Sequence, residues 1–74
     1  MAVHTLDAKG LNCPLPILKA KKMLKSLPAG DVLNIVSTDP GSVADFAAFC
    51  RQTGNELVNS GNEGDIYNFE IKKA

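Results

Sequence analysis

The sequence of 74 residues is poor in most features from which a function can be inferred directly. It contains no tryptophan, three phenylalanines, one tyrosine, one histidine and two cysteines. Its eight basic residues balance its eight acidic residues, so the formal net charge is zero. A chain without excess positive charge has no general attraction to a phosphate backbone. This balance argues against a nucleic-acid-binding module.

The sequence also has no long apolar run and no pattern of a signal peptide. A membrane-spanning helix needs roughly twenty predominantly apolar residues, and no stretch approaches that length. Cys13 and Cys50 form no Cys-x-x-Cys pair, and with His4 they match no recognised metal-ligand spacing. We therefore expect no membrane association, no disulfide, no metal, no cofactor and a reducing, cytoplasmic environment.

The composition is that of a small globular domain. Hydrophobic residues make up 45% of the chain and charged residues 22%, which is not the composition of a disordered chain. A chain of this length has room for one hydrophobic core. We expect residues 1–74 to form a single domain.

A thiol directly in front of two prolines is the feature with the clearest chemical meaning. Proline is tolerated in the first helical turn, so Cys13 is predicted to be the N-cap, with Pro14 at the first helical position and Pro16 at the third. The positive end of the helix dipole favours a thiolate there. Only Leu15 keeps an N–H among the three residues after Cys13, so the expected activation is modest. A buried cysteine that merely precedes a helix is the alternative.

The helix predicted over 17–27 has two distinct faces at helical spacing. One face is apolar and should contact a sheet; its residues are Ile17, Ala20, Met23, Leu24 and Leu27. The other face is basic and carries two leucines; its residues are Leu15, Leu18, Lys19, Lys21, Lys22 and Lys25. Leucines among lysines next to the thiol suggest a docking face for a partner protein, in which Leu15, Leu18, Lys19, Lys22 and Lys25 take part. Scattered surface leucines are also common, and this alternative stays open.

The remaining chain predicts the order β-α-β-α-β-β. Strands are expected over 3–8, with His4 on its surface, over 31–38 and, as a short edge strand, over 55–59. A second helix should begin with Asp39 as its cap and Pro40 at its first position. Turn residues occupy 60–65, and a last strand follows.

Two sets of spaced apolar residues predict the rest of the core. In the second helix the i, i+3, i+4, i+7 spacing is shared by Val43, Phe46, Ala47 and Cys50. Alternation in the last strand places three residues on one face, namely Tyr67, Phe69 and Ile71. Cys50 is therefore assigned to the core and the last strand to the centre of the sheet.

The run Leu6-Asp7-Ala8-Lys9-Gly10-Leu11-Asn12-Cys13-Pro14-Leu15-Pro16 resembles the signature of the TusA/SirA-like family of small sulfur carriers. The resemblance extends over nearly the whole chain. It implies an α+β two-layer sandwich, with two helices on one face of a four-stranded mixed sheet of order 1-2-4-3. It also implies that Cys13 accepts a persulfide sulfur, with Gly10, Pro14 and Pro16 as supporting motif residues.

In that family the sulfur comes from a donor protein, such as a cysteine desulfurase or a rhodanese-like protein, and passes to an acceptor protein. Members serve tRNA thiolation, molybdenum-cofactor sulfur supply or sulfur oxidation. The tRNA-thiolation type often has an acidic residue between the prolines, where Leu15 stands here, so the partners are left open. We expect a monomer when free and no independent turnover without partners.

Three other functions compete with the carrier interpretation. The chain could be a non-catalytic regulatory or interaction module in which the prolines only start a helix. It could bind nucleic acid, since similar two-layer folds occur in translation factors, although its neutral charge argues against this. A thiol oxidoreductase would need a resolving cysteine near Cys13, and the sequence offers none.

Overall fold

The sheet is built around two central strands, one reached through a helical connection and the other through a hairpin. The computed structural model describes residues 2–74, which form four strands and two helices. In chain order these are β1 (Val3–Ala8), α1 (Leu15–Lys25), β2 (Val32–Ser37), α2 (Ser42–Thr53), β3 (Glu56–Glu63) and β4 (Ile66–Lys72). The strand order is β1-β2-β4-β3, with β1 parallel to β2 and β4 antiparallel to both neighbours. The predicted element order and strand order are confirmed.

The core lies between one face of this sheet and both helices. Alternate residues of β2 and β4 pair across the strands, Leu33 with Ile71 and Ile35 with Phe69, and all four are buried. Their alternation follows from the two-residue period of a strand. Phe46 of α2 packs against the Phe69 ring, with centroids 4.8 Å apart. The predicted inward face of the last strand is thus confirmed.

The start of α2 differs from the prediction. Asp39 does not cap the helix, which begins at Ser42 with Gly41 as its N-cap. Ser42 is buried because its hydroxyl donates a hydrogen bond to the Asp39 carbonyl oxygen and lies 2.8 Å from the Ser37 hydroxyl. The predicted burial of Val43 is wrong, since 43% of that residue is exposed.

The buried face of α2 is completed by a residue that the spacing left out. Phe49 is 8% exposed and packs edge-on against Phe46, with ring centroids 6.5 Å apart. Phe46 and Cys50 are buried as predicted, and Ala47 is half-buried. The face that contacts the sheet is therefore rotated slightly around the helix from the predicted one.

The hairpin of β3 and β4 is longer than predicted. Residues Ser60 to Glu63 continue β3 instead of forming a turn, and only Gly64 and Asp65 connect the strands. Gly64 has φ 59°, a conformation that glycine adopts without steric cost. Such two-residue connections are favoured in hairpins because their twist matches that of the strands.

Both helices are short. α1 has 11 residues and α2 has 12. Within residues 2–74, no helix combines the length and apolar character needed to cross a membrane.

Candidate functional site

Cys13 lies in the turn between β1 and α1 and is exposed. The N-cap of α1 is Pro14 and not Cys13, and Pro16 is the second helical residue and not the third. The Cys13–Pro14 peptide bond is cis. The cap and the first helical residue therefore each lie one position later than predicted, while the thiol is still presented at the N-terminal end of the helix.

The backbone donors at this helix start are engaged away from the thiol. Pro14 and Pro16 have no N–H, and the Leu15 N–H donates to the carbonyl oxygen of Asn12 at 2.9 Å. The Cys13 N–H donates to Asp39 Oδ2 at 2.9 Å. The predicted scarcity of donors is thus confirmed, and even the Leu15 N–H has a partner.

Two hydrogen bonds fix the Cys13 turn to the loop between β2 and α2. Besides the bond from Cys13 to Asp39, the Gly10 N–H donates to Thr38 Oγ1 at 2.9 Å. The two loops are neighbours because β1 and β2 run parallel and end together, with Ala8 opposite Ser37. Gly10 also has φ 79°, which suits glycine. Gly10 therefore shapes the turn that carries Cys13, and its role in function stays a prediction.

Asp45 of α2 is a site residue that the sequence did not reveal. It borders the same open recess as Cys13, a space of about 240 Å³ whose walls include Pro14, Ile17 and Phe49. Asp45 is half-buried and lies in the first turn of α2. The two residues are distant in sequence, so only the packing of the helix starts brings them together.

The acidic surroundings change the chemistry expected of Cys13. The neighbouring Asp45 carboxylate, on the same recess, raises the pKa of the Cys13 thiol above its ordinary value of 9.0. Desolvation and the negative charges of Asp45 and Asp39 raise it further. The predicted activation by the helix start is therefore wrong for the free chain, because neighbouring carboxylates favour the protonated thiol.

Cys50 is a free cysteine of a different kind. It is 5% exposed and belongs to the core cluster with Phe46 and Phe49. Burial raises the pKa of its thiol above 9.0 because a thiolate is poorly stabilised in apolar surroundings. The prediction that Cys50 is a core residue is confirmed.

The residues predicted to form a docking face are on the surface of α1. Leu15 is 47% exposed and Leu18 is 54% exposed. The lysines of the face are also exposed; they are Lys19, Lys22 and Lys25. Leu18, Lys22 and Lys25, together with Lys21, border a shallow depression of about 290 Å³. The surface exists as predicted, and its use in docking stays a prediction.

The fold and the site together define a class of protein: a small α+β two-layer sandwich that presents one exposed cysteine at the start of a helix and buries the other. The chain belongs to the TusA family, because the family model described as Sulfurtransferase TusA matches residues 4–73. The match spans almost all of the chain and includes the Cys13 turn, both helices and all of the sheet after Val3.

Similar proteins include named sulfur carriers and a SirA-like protein. The sulfur carrier protein TusA of Allochromatium vinosum is 61% identical over 69 residues, which cover 93% of this chain and 91% of that protein. A putative sulfur carrier protein of Neisseria meningitidis is 46% identical and covers 97% of each chain. The crystal structure of a SirA-like protein from Desulfitobacterium hafniense matches with a TM-score of 0.82 and 26% identity, covering 97% of this chain and 96% of that one.

Proposed function

We propose that this chain is a persulfide carrier whose Cys13 accepts sulfur from a donor protein and passes it to an acceptor protein. The observation that carries the proposal is the contrast between its two cysteines. Cys13 is exposed on a turn fixed by two hydrogen bonds, whereas Cys50 is enclosed in the core. Thiol exchange depends on access as well as on the thiolate fraction, so only Cys13 can meet the cysteine of another protein.

The transfer needs no cofactor because it exchanges one sulfur–sulfur bond for another. The Cys13 thiolate attacks the outer sulfur of the donor persulfide, and the donor's own sulfur leaves as a thiolate that takes up the proton lost by Cys13. The product is a persulfide on Cys13 with no net oxidation or reduction. An acceptor thiolate then attacks the same outer sulfur and releases Cys13.

Transfer of this kind requires both partners to bring a cysteine to Cys13, so the surface around it must accept other proteins. The docking face of Leu15, Leu18, Lys19, Lys22 and Lys25 begins beside the thiol and combines apolar and charged groups, as transient interfaces do. The donor is a cysteine desulfurase or a rhodanese-like protein. The acceptor acts in tRNA thiolation, molybdenum-cofactor sulfur supply or sulfur oxidation, in the reducing cytoplasm where a persulfide persists.

Intact-mass spectrometry after incubation with a cysteine desulfurase and cysteine tests this proposal. We expect wild type to gain about 32 Da for each sulfur atom transferred. Cys13→Ser should gain nothing, and Cys50→Ser should still load. No stable adduct on Cys13 with any donor would favour the alternative, a non-catalytic regulatory or interaction module of the same fold. Loading of Cys50 in folded Cys13→Ser protein would refute the assignment of the carrier cysteine.

A further inference from the structure

The turn that carries Cys13 is held at two points by the loop between β2 and α2. Gly10, three residues before Cys13, donates its backbone N–H to Thr38 Oγ1 at 2.9 Å. Cys13 donates its own N–H to Asp39 Oδ2 at the same distance. Thr38 and Asp39 directly follow β2, which ends at Ser37. The end of one strand therefore holds both ends of the segment that leads to the thiol.

We propose that Thr38 is a positioning residue for sulfur transfer. Its hydroxyl oxygen, through the Gly10 N–H, holds the Cys13 turn in the orientation in which the thiol meets the persulfide of a docked donor protein. This inference rests on the proposed carrier function. It assigns Thr38 no covalent step and no contact with the reacting sulfur atoms.

The turn depends on this outside support because its own backbone bonds are local. The N-cap of α1 is Pro14, and no side chain within residues 2–74 caps the helix. The Leu11 N–H donates to the Ala8 carbonyl oxygen at 3.3 Å, and the Leu15 N–H donates to that of Asn12 at 2.9 Å. Each of these bonds joins residues three positions apart, so neither ties the turn to a distant part of the chain. The two bonds to the β2–α2 loop supply that connection.

The Thr38 bond acts on the residue of the turn that has the widest choice of backbone conformations. Gly10 has no Cβ, and its φ of 79° is one of several conformations open to glycine. The bond to Thr38 Oγ1 therefore restricts the turn where its own sterics restrict it least. Because Cys13 follows three residues later, a change in the backbone at Gly10 would move the thiol.

Orientation matters for transfer within a complex and much less for reaction with a small molecule. A docked donor has a fixed position relative to the carrier, so the Cys13 sulfur must lie in line with the donor's sulfur–sulfur bond. A displacement of about 1 Å from such a geometry can cost about a hundredfold in rate. A small alkylating reagent approaches the exposed thiol from any open direction, and its rate follows access and the thiolate fraction. The Thr38 hydroxyl carries no charge, so its removal leaves the charges around the thiol unchanged.

The test compares wild type with Thr38→Val, Thr38→Ser and Thr5→Val. Valine has nearly the shape of threonine but no acceptor oxygen, whereas serine keeps that oxygen. Thr5 is exposed on β1, so Thr5→Val controls for the same chemical change away from the turn. Leu11 still packs against the core in every variant and keeps the turn attached, and circular dichroism checks that each variant is folded. Faster hydrogen exchange at the Gly10 amide, measured by NMR, reports the loss of the bond in Thr38→Val.

The decisive measurement is the rate of Cys13 loading by a persulfidated cysteine desulfurase over a range of donor concentrations. One hydrogen bond shifts an equilibrium about two- to tenfold, so the rate at saturating donor should fall by about that factor in Thr38→Val. The half-saturating donor concentration and the rate of alkylation by iodoacetamide should change little. Thr38→Ser should retain most of the wild-type rate, and Thr5→Val all of it.

Three outcomes would contradict the inference. An unchanged saturating rate in folded Thr38→Val would show that the bond does not orient the thiol for transfer. Equal slowing of loading and alkylation would mean that the reactivity of the thiol changed and not its orientation. A raised half-saturating concentration with an unchanged saturating rate would place Thr38 in donor binding. Failure of wild type itself to load would refute the carrier function and this inference with it, whereas the first three outcomes refute the inference alone.

Discussion

Asp39 Oδ2 accepts a hydrogen bond from the backbone N–H of Cys13 at 2.9 Å, across 26 residues of sequence. The other oxygen of the same carboxylate, Oδ1, accepts the Gly41 N–H at 3.0 Å. One side chain therefore shapes the loop before α2 and holds the turn that carries the thiol. This hydrogen bond explains how the exposed Cys13 has a defined position although it is not the N-cap of α1.

Asp39→Asn should weaken this connection, because a carboxamide has one acceptor oxygen for two N–H donors. We expect a loss of about 1 kcal/mol in the free energy of unfolding and faster hydrogen exchange at the Cys13 amide. The matched control is Asp7→Asn. Among residues 2–74, the Asp7 carboxylate accepts one hydrogen bond, from the Lys9 N–H at 3.0 Å, and a carboxamide oxygen can replace it there. Equal amide protection of Cys13 in wild type and Asp39→Asn, measured by NMR, would contradict this account.

The core position of Cys50 leads to a prediction about stability. Cys50→Ser places a hydroxyl in the core cluster that includes Phe46 and Phe49, where burial without a full set of hydrogen bonds costs about 1–2 kcal/mol in the free energy of unfolding. Cys13→Ser changes an exposed side chain and should cost much less. Urea denaturation of the two variants measures the difference. Equal stability of both would mean that the sulfur of Cys50 contributes nothing to core packing.

The fold was predictable where periodicity alone decides which residues are buried. Phe69 and Ile71 alternate with polar residues along a strand and lie in the core. Ala20 and Leu24, four residues apart on a helix, are also buried. The prediction failed at the start of α2, where hydrogen bonds in the preceding loop determine the first helical residue. Ser42 is buried by its bonds to Ser37 and Asp39, which no apolar pattern can reveal.

The candidate site was predictable only in part, for a related reason. Cys13 stands out locally, because a cysteine before two prolines has few structural explanations. Asp45 is one of eight acidic residues and has no local pattern that connects it to a thiol. Its effect on Cys13 arises from the packing of α1 against α2, and so the direction of the pKa change was missed. Electrostatic effects between residues distant in sequence become visible only in the folded structure.

The pair formed by His4 and Asp31 should make part of the stability depend on pH. The side-chain hydrogen bond with His4 Nε2, at 3.0 Å, and then the backbone N–H of Ala2 hold the pKa of Asp31 below its ordinary value of 3.8. A lowered pKa in the folded state stabilises the protein above the unfolded-state pKa, and this stabilisation is lost as the pH falls through the folded-state pKa.

Asp31→Asn tests this dependence. We expect the variant to be less stable than wild type at neutral pH and the difference to shrink below about pH 4, where the carboxylate becomes protonated. Asp65→Asn serves as the control for an exposed carboxylate. Urea denaturation over a series of pH values provides the measurement. A difference between wild type and Asp31→Asn that does not change with pH would show that the carboxylate charge is not the source of the stabilisation.

The docking face of α1 yields a prediction because its two kinds of residue should affect different steps. The exposed lysines attract acidic surfaces and should speed encounter with a partner, an effect that salt weakens. The leucines should slow dissociation by burying apolar area in the complex. Leu15 and Leu18 expose about half of their surface in the free chain, so each can still contribute about 1–2 kcal/mol when it is well covered.

Leu15→Glu should therefore weaken binding to a productive partner about five- to thirtyfold, the equivalent of that free energy, and slow sulfur handover at subsaturating partner concentrations. Alkylation of Cys13 by iodoacetamide should slow less than handover, because small reagents do not use the docking face and feel only the added negative charge near the thiol. Val58→Glu is the matched control, since Val58 is 48% exposed on edge strand β3, whereas α1 packs against β1 and β2. Transfer kinetics with several donors and acceptors measure the effect. Identical rates for wild type, Leu15→Glu and Val58→Glu with every productive partner would reduce Leu15 to an ordinary surface leucine.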